Sequence, residues 1–416
     1  MALSAASVRL GSSEDKKLQN PTIITVYYAF LPVNSDTYKC ISGTNRGMNI
    51  LHSESSTGWG GQEIRTLKEM VALRERGHTV ELVCPARAEI GRRAAAGGFP
   101  VHHAPMRTGG DVASMMAIRS LVNRRAFDVV NTHSGHDTLV AGLAARSAGT
   151  PLVVRTRHLA LPVTSLATYR WIPHRVIAVS SYVHRYLVSA GVDHDRIATI
   201  YDGVPEPEQQ IESTLRSELG LGADAVIGCM VAMMRDQKGH DDLIEAVRPL
   251  LTSRPELHLV MAGDGPSFAR IRSRIEALGL SSRVHLLGLR PDVPNVLRGS
   301  DFFVLPTHQE ALGQSFIEAM SRGLPVIGTR VDGVPELIED SVNGLLVPPK
   351  DPVSLRAAIV RLLDDRALRT RLGDQARRII GRFTIAQMAD QTIAFYRRCL
   401  TERNYHQKLA GLGPVS

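Results

Sequence analysis

The sequence is poor in the features that mark several protein classes. Its 416 residues include four cysteines, Cys40, Cys84, Cys229 and Cys399, widely spaced and without a C-x-x-C pair. That argues against a disulfide framework or a thiolate metal site and for reduced, cytoplasmic thiols. No run approaches the roughly 18 apolar residues that a membrane-spanning helix needs. The early apolar stretch "TIITVYYAFLPV" lacks the basic flank and small-residue cleavage site of a secretory leader. There is no P-loop, no H-E-x-x-H and no G-x-S-x-G, which removes the chemistries those motifs carry. No internal repeat of solenoid length is present. From Ala104 to Leu187 lysine and glutamate are missing altogether, and ten arginines stand against three aspartates. Nearly all of the formal net charge of +8 therefore sits in that segment. A basic face of this kind suits nucleic acid, anionic lipid or a phosphate-bearing substrate, with plain solvated charge as the simpler reading.

What is present is a soluble composition, 44% apolar and 22% charged, on a chain long enough for two domains. Residues 1–47 show no clear periodicity and are expected to be a poorly ordered extension. From Met48 the pattern turns regular. "MNILHS" reads as a strand, followed by a Gly-rich turn and the helix "GQEIRTLKEMVALRERG". "TVELVCP", "DVVNTH", "PLVVRT" and "RVIAVS" continue as strands, each followed by a helical or polar stretch. The apolar pattern stops at "YDGVPEPEQQ", a linker, and a second alternation runs from "AVIGCMVAM" to "PVIGT". Alternating strand and helix predicts parallel sheets covered on both faces. The expected fold class is α/β, with two Rossmann-like doubly wound domains facing a central cleft. The expected boundaries are 48–205, 206–385 and a C-terminal helix, 386–416, crossing back to the first domain. In such sheets ligands bind at the carboxyl ends of the strands.

The most informative stretch is "HQEALGQSFIEAMSRGLPVIGT", in which Glu310 and Glu318 are separated by seven residues. "FFVLP" reads as a buried strand, "THQEALG" as the loop at its carboxyl end and "QSFIEAMSRG" as a helix. Gly313, Gln314 and Ser315 at the helix start would offer backbone N–H groups to a phosphate. Glu318, one turn in, has the acceptor oxygens that a ribose diol requires. Ser315 and Glu318 also have the S-x-x-E spacing of a capping box, so Glu318 is expected to cap its own helix as well. Capping does not account for Glu310. Two other signals read as structure. The "GDGPSF" turn has Phe268 where a dinucleotide fingerprint needs glycine, and Asp193-His194-Asp195 reads as a surface loop rather than a metal site.

From Met48 to about Leu400 the chain resembles the GT-B-fold retaining glycosyltransferases of family 4. The matching stretches are "EALGQSFIEAM", "GLPVIGTRVDGVPELIEDSVNGLLVPPKDP", "RDQKGHDDLIEA" and "STGWGGQE". The resemblance implies a nucleotide-sugar donor held mainly by the second domain, a UDP-sugar rather than a GDP-sugar, and no required metal or other cofactor. It places Lys238 on the donor diphosphate and Glu310 on the transferred sugar and phosphate. His133 would face the sugar, and Gly60 and Gly61 would let the first domain approach the phosphates. Where the family has arginine within a Gly-Arg-Leu run, this chain has Ala232-Met233-Met234, so Arg235 is expected to supply that charge from two residues later. Asp202 is expected to be a hinge residue rather than a ligand.

The reading as a whole is a retaining glycosyltransferase acting on a cell-surface polysaccharide, lipopolysaccharide or glycolipid acceptor. It is expected in the cytoplasm, on the cytoplasmic face of the inner membrane. The arginine-rich first domain and the aromatic-basic stretch "PVTSLATYRWIPHRV" fit contact with an anionic membrane. The rival readings are a sugar-nucleotide epimerase using the same cleft and a nucleic-acid-binding protein. The second lacks any known binding module, and no nucleic acid is expected.

Overall fold

The computed structural model describes residues 46–159, 161–205 and 212–409. The extension expected over residues 1–47 lies almost wholly outside the described residues, as does the middle of the linker.

Strands β1 (Asn49–Ser53), β2 (Thr79–Cys84), β3 (Val101–His103), β4 (Val129–Thr132), β5 (Leu152–Arg157), β6 (Arg175–Ala178) and β7 (Ile197–Thr199) form a seven-stranded sheet in the order 3-2-1-4-5-6-7. Strands β8 (Val226–Val231), β9 (Leu257–Ala262), β10 (Val284–Gly288), β11 (Phe302–Leu305), β12 (Val326–Thr329) and β13 (Leu345–Val347) form a second sheet in the order 10-9-8-11-12-13. Every pairing in both sheets is parallel. These are two doubly wound sheets, the architecture expected from the alternating pattern. Strands such as "FFVL" are apolar throughout because helices cover both faces and every residue is buried. In each sheet the strand order reverses once, between β1 and β4 and between β8 and β11, and a ligand crevice opens at such a reversal.

Helix α1 (Gly61–Glu75) follows β1. The apolar spacing predicted one buried face, but Arg65, Lys68 and Glu69 are buried as well. Lys68 lies against the Gly203 carbonyl, while for Arg65 and Glu69 the cause is helix α5 (Ile385–Leu409), which returns to the first domain. Its Met388, Phe395, Tyr396 and Cys399 join the core formed by Met70, Leu73 and Ile50. Buried charge is costly unless paired. Arg65 and Glu69 accordingly form an ion pair at 2.8 Å, and the Tyr396 hydroxyl accepts from Asn131 Nδ2 at 2.9 Å. Arg76 ties the outer end of α5 through Asp390 at 2.6 Å.

The basic segment is only partly a surface. Arg155 and Arg157 lie on β5 with side chains turned inward, one stacked 3.7 Å over the Tyr169 ring and the other donating to its hydroxyl at 2.8 Å. They brace the fold, so the outward charge is smaller than the arginine count implies.

Candidate active site

Both strand-order reversals carry polar residues at their carboxyl ends. On the second domain, β8 runs into a tight turn, Asp236–Lys238, that leads to helix α3 (His240–Ser253). Gly239 closes this turn with φ +74, and a Cβ there would lie 2.0 Å from the Pro306 carbonyl oxygen. Only glycine satisfies both the backbone angle and that approach. The turn is thereby pressed against the chain leaving β11, and Lys238 Nζ reaches Glu310 Oε2 at 2.6 Å. The two residues are 72 positions apart and form a partly buried ion pair. Arg235, at the head of the same turn, is exposed.

After β11 the loop ends at Gly313, the left-handed N-cap of helix α4 (Gln314–Ser321). Ser315 therefore lies inside the helix, and the expected capping box does not form. Glu318 is relieved of any capping role. Its carboxylate takes a long hydrogen bond, 3.4 Å, from Gln314 Nε2. Burial raises its pKa, opposed by the charges of Lys68 on α1 and Arg322, while Asp202 adds to the rise. Asp202 is buried, with Oδ1 lacking a hydrogen-bond partner. Beside it the Gly203 carbonyl accepts from Lys68 Nζ at 3.3 Å. Asp202 thus shares a charged cluster with Lys68 and Glu318.

From the first domain, Gly60 is the N-cap of α1, and its N–H donates to Glu63 Oε2 at 2.8 Å. A Cβ on Gly60 would sit 3.7 Å from Met233 Cε, whereas one on Gly61 would meet open space. The glycine turn therefore abuts the loop that carries Arg235 and Lys238. The structure brings Gly60, Gly61, Lys238, Glu310 and the start of α4 to one cleft.

His133 is placed differently from expectation. It is buried, and both ring nitrogens are engaged, Nε2 with His52 Nδ1 and Nδ1 with His158 Nε2, each at 2.9 Å. The three histidines end β1, β4 and β5, which are neighbours in the sheet. Burial pushes all three pKa values down, that of His52 to about 3, so the chain is neutral. With both nitrogens committed, His133 has none to offer a sugar hydroxyl. Beside it, burial raises the Glu54 and Asp137 carboxyls above the usual range. Asp137 accepts from the His133 and Ser134 N–H groups, and Glu54 from Ser56 N and Gln62 Nε2. Sequence reasoning missed this group because its members meet only when β1, β4 and β5 pair. The Asp193–Asp195 stretch is an exposed turn, as expected.

Two family profiles match the chain, "Glycosyltransferase Family 4" over residues 59–206 and "Glycosyl transferases group 1" over residues 212–379. The chain belongs to the family 4 glycosyltransferases. Among curated relatives, the Escherichia coli UDP-Gal:alpha-D-GlcNAc-diphosphoundecaprenol alpha-1,3-galactosyltransferase is 28% identical over 306 residues, 69% of this chain and 79% of that protein. The crystal structure of a Rickettsia africae glycosyltransferase aligns with a TM-score of 0.77 at 21% identity, covering 85% of this chain and 99% of the other. Anabaena HepE, solved with UDP and glucose, aligns with a TM-score of 0.75 at 22% identity, covering 84% of this chain and 99% of the other. This family 4 glycosyltransferase thus has the GT-B fold.

Proposed function

We propose that this glycosyltransferase moves a sugar from a UDP-sugar to a lipid-linked or lipopolysaccharide-type acceptor with retention of anomeric configuration. The observation that carries the reading is the Lys238–Glu310 pair at the strand-order reversal, opposite the Gly60–Gly61 turn. A donor diphosphate entering there exchanges one carboxylate partner of Lys238 for its own charge. Arg235 reaches the same charge from the exposed head of the turn, and the first N–H groups of α4, from Gln314 and Ser315 after Gly313, point the same way. Glu318 accepts the ribose hydroxyls, and Glu310 turns to the sugar. His133, with His52 and His158, forms a neutral floor beneath the first-domain side.

Same-face attack is the step this arrangement favours. The bond from the anomeric carbon to the leaving phosphate oxygen breaks, and the bond to the acceptor oxygen forms on the same face. The acceptor proton passes to the leaving phosphate, whose charge Lys238 and Arg235 stabilise. For the donor, the UDP complex of HepE supports uridine. For the acceptor, the support is the diphosphoundecaprenol substrate in the E. coli relative's name. Membrane contact by the first domain rests on Trp171, 73% exposed, and on exposed Leu159, Leu161 and Leu166 beside Arg170 and Arg185. Among the described residues no helix is long and apolar enough to cross a membrane.

The test is transfer from a panel of nucleotide sugars to a polyprenyl-diphosphate sugar, with the linkage read by NMR. The expected product keeps the donor's anomeric configuration, and transfer persists in excess chelator. An inverted linkage, or preference for a GDP-sugar, would overturn the corresponding part of the reading.

A further inference from the structure

The loop carrying Glu310 is held from outside its own domain. Helix α2 (Ser181–Ser189) belongs to the first domain, and its free N-terminal N–H groups point at a carboxylate of the second. Glu336 Oε2 accepts from Ser181 N at 2.9 Å and from the Tyr201 hydroxyl at 3.1 Å, and Oε1 accepts from Tyr182 N. Four residues before Glu336 stands Asp332, in a left-handed conformation with φ +45. Its Oδ2 accepts from the backbone N–H of Glu310 at 2.9 Å. Gly333 N donates to the Glu310 carbonyl at 3.0 Å. A Cβ on Gly333 would lie 2.1 Å from the Ala311 carbonyl oxygen, so the two loops are in direct backbone contact. Ala311 itself packs into a first-domain cluster with Tyr169, Val179, Val183 and Tyr182.

We propose that Asp332 and Glu336 are positioning residues for Glu310, through which the first domain sets the geometry of the Lys238–Glu310 pair. Glu336 docks on the start of α2 through the Ser181 and Tyr182 N–H groups, and four residues before it Asp332, with Gly333, pins the N–H and carbonyl of Glu310. A strained aspartate persists where its surroundings over-determine it, and here the surroundings come from both domains. The consequence is that Glu310 is in register for the donor only while α2 sits against this loop. Domain orientation and site geometry are then one variable. The functional side of the inference rests on the donor-facing role given to Glu310 above. The placement side does not.

The experiment uses the full chain and Glu336→Gln, which keeps the side-chain length and one acceptor oxygen but removes the charge and the second acceptor that dock on α2. Hydrogen–deuterium exchange is followed over residues 309–312 without substrate, beside kcat, KM for donor, UDP affinity and Tm. Exchange over 309–312 is expected to rise roughly tenfold with the rest of the chain unchanged. The turnover number should fall about fivefold or more, with KM, UDP affinity and Tm nearly constant. In Asp332→Ala, adding Glu336→Gln should change little, because both act through one path. Unchanged exchange in Glu336→Gln would overturn the proposal. So would a rise spread over the whole chain with a lower Tm, which is the signature of a merely structural contact. A local rise in a protein that transfers no sugar from any nucleotide donor would support the coupling and reject the glycosyl-transfer role of Glu310.

Discussion

The buried histidine chain makes a pH-dependence that a cleft-facing histidine would not. Burial holds the folded pKa values of His52, His133 and His158 well below 6.5, and that of His52, at about 3, keeps it neutral in the folded protein at pH 5. In the unfolded chain each titrates near 6.5. A group with a depressed folded pKa contributes stability that is present above the unfolded value and lost as pH falls. Between pH 7 and pH 5, protonation favours the unfolded state by about 2 kcal/mol for an imidazole that stays neutral in the folded protein, as His52 does. That is a sizeable part of the net stability of a typical domain. In His52→Gln the amide can still bond His133, but one titrating group is gone. The loss of stability from pH 7 to pH 5 should shrink by about 2 kcal/mol, or roughly 2–3 °C in Tm for a chain of this size. Thermal unfolding of both proteins at the two pH values measures this, and imidazole NMR of the folded protein gives a direct check. Parallel losses in wild type and variant, or a folded His52 titrating near 6.5, would refute the reasoning.

Two further substitutions test the donor side. Glu318→Gln removes the charge and keeps the shape, and since the carboxylate caps nothing, Tm should hold while donor affinity or turnover falls at least about tenfold, roughly 1.4 kcal/mol; a large Tm loss with normal activity would make Glu318 structural. Lys238→Ala leaves Glu310 unpaired and should weaken UDP binding much more than uridine binding, measured by calorimetry, and equal effects on both would remove the phosphate role.

The alternation of strand and helix and the loop-and-helix setting of Glu310 and Glu318 were legible in the sequence. Each depends on local periodicity or on a few adjacent residues, and a parallel sheet buried on both faces writes its strands as continuous apolar runs. Lys238 was legible for the same reason, as part of a short turn after a strand. Local spacing misjudged the S-x-x-E stretch, because Gly313 takes the left-handed N-cap and moves Ser315 inside the helix. It also gave no sign that Arg155 and Arg157 turn inward on Tyr169. The remaining features belong to tertiary structure alone. His133 loses its freedom because β1, β4 and β5 lie side by side and bring His52 and His158 to either side of it. Glu69 is buried because α5, more than 300 residues later, closes over α1 and sets Tyr396 against it. Glu310 is held by Asp332 and by a helix of the other domain, across sequence distances that no periodicity spans. Contacts of that kind are decided only when the two sheets have formed and their carboxyl ends face each other.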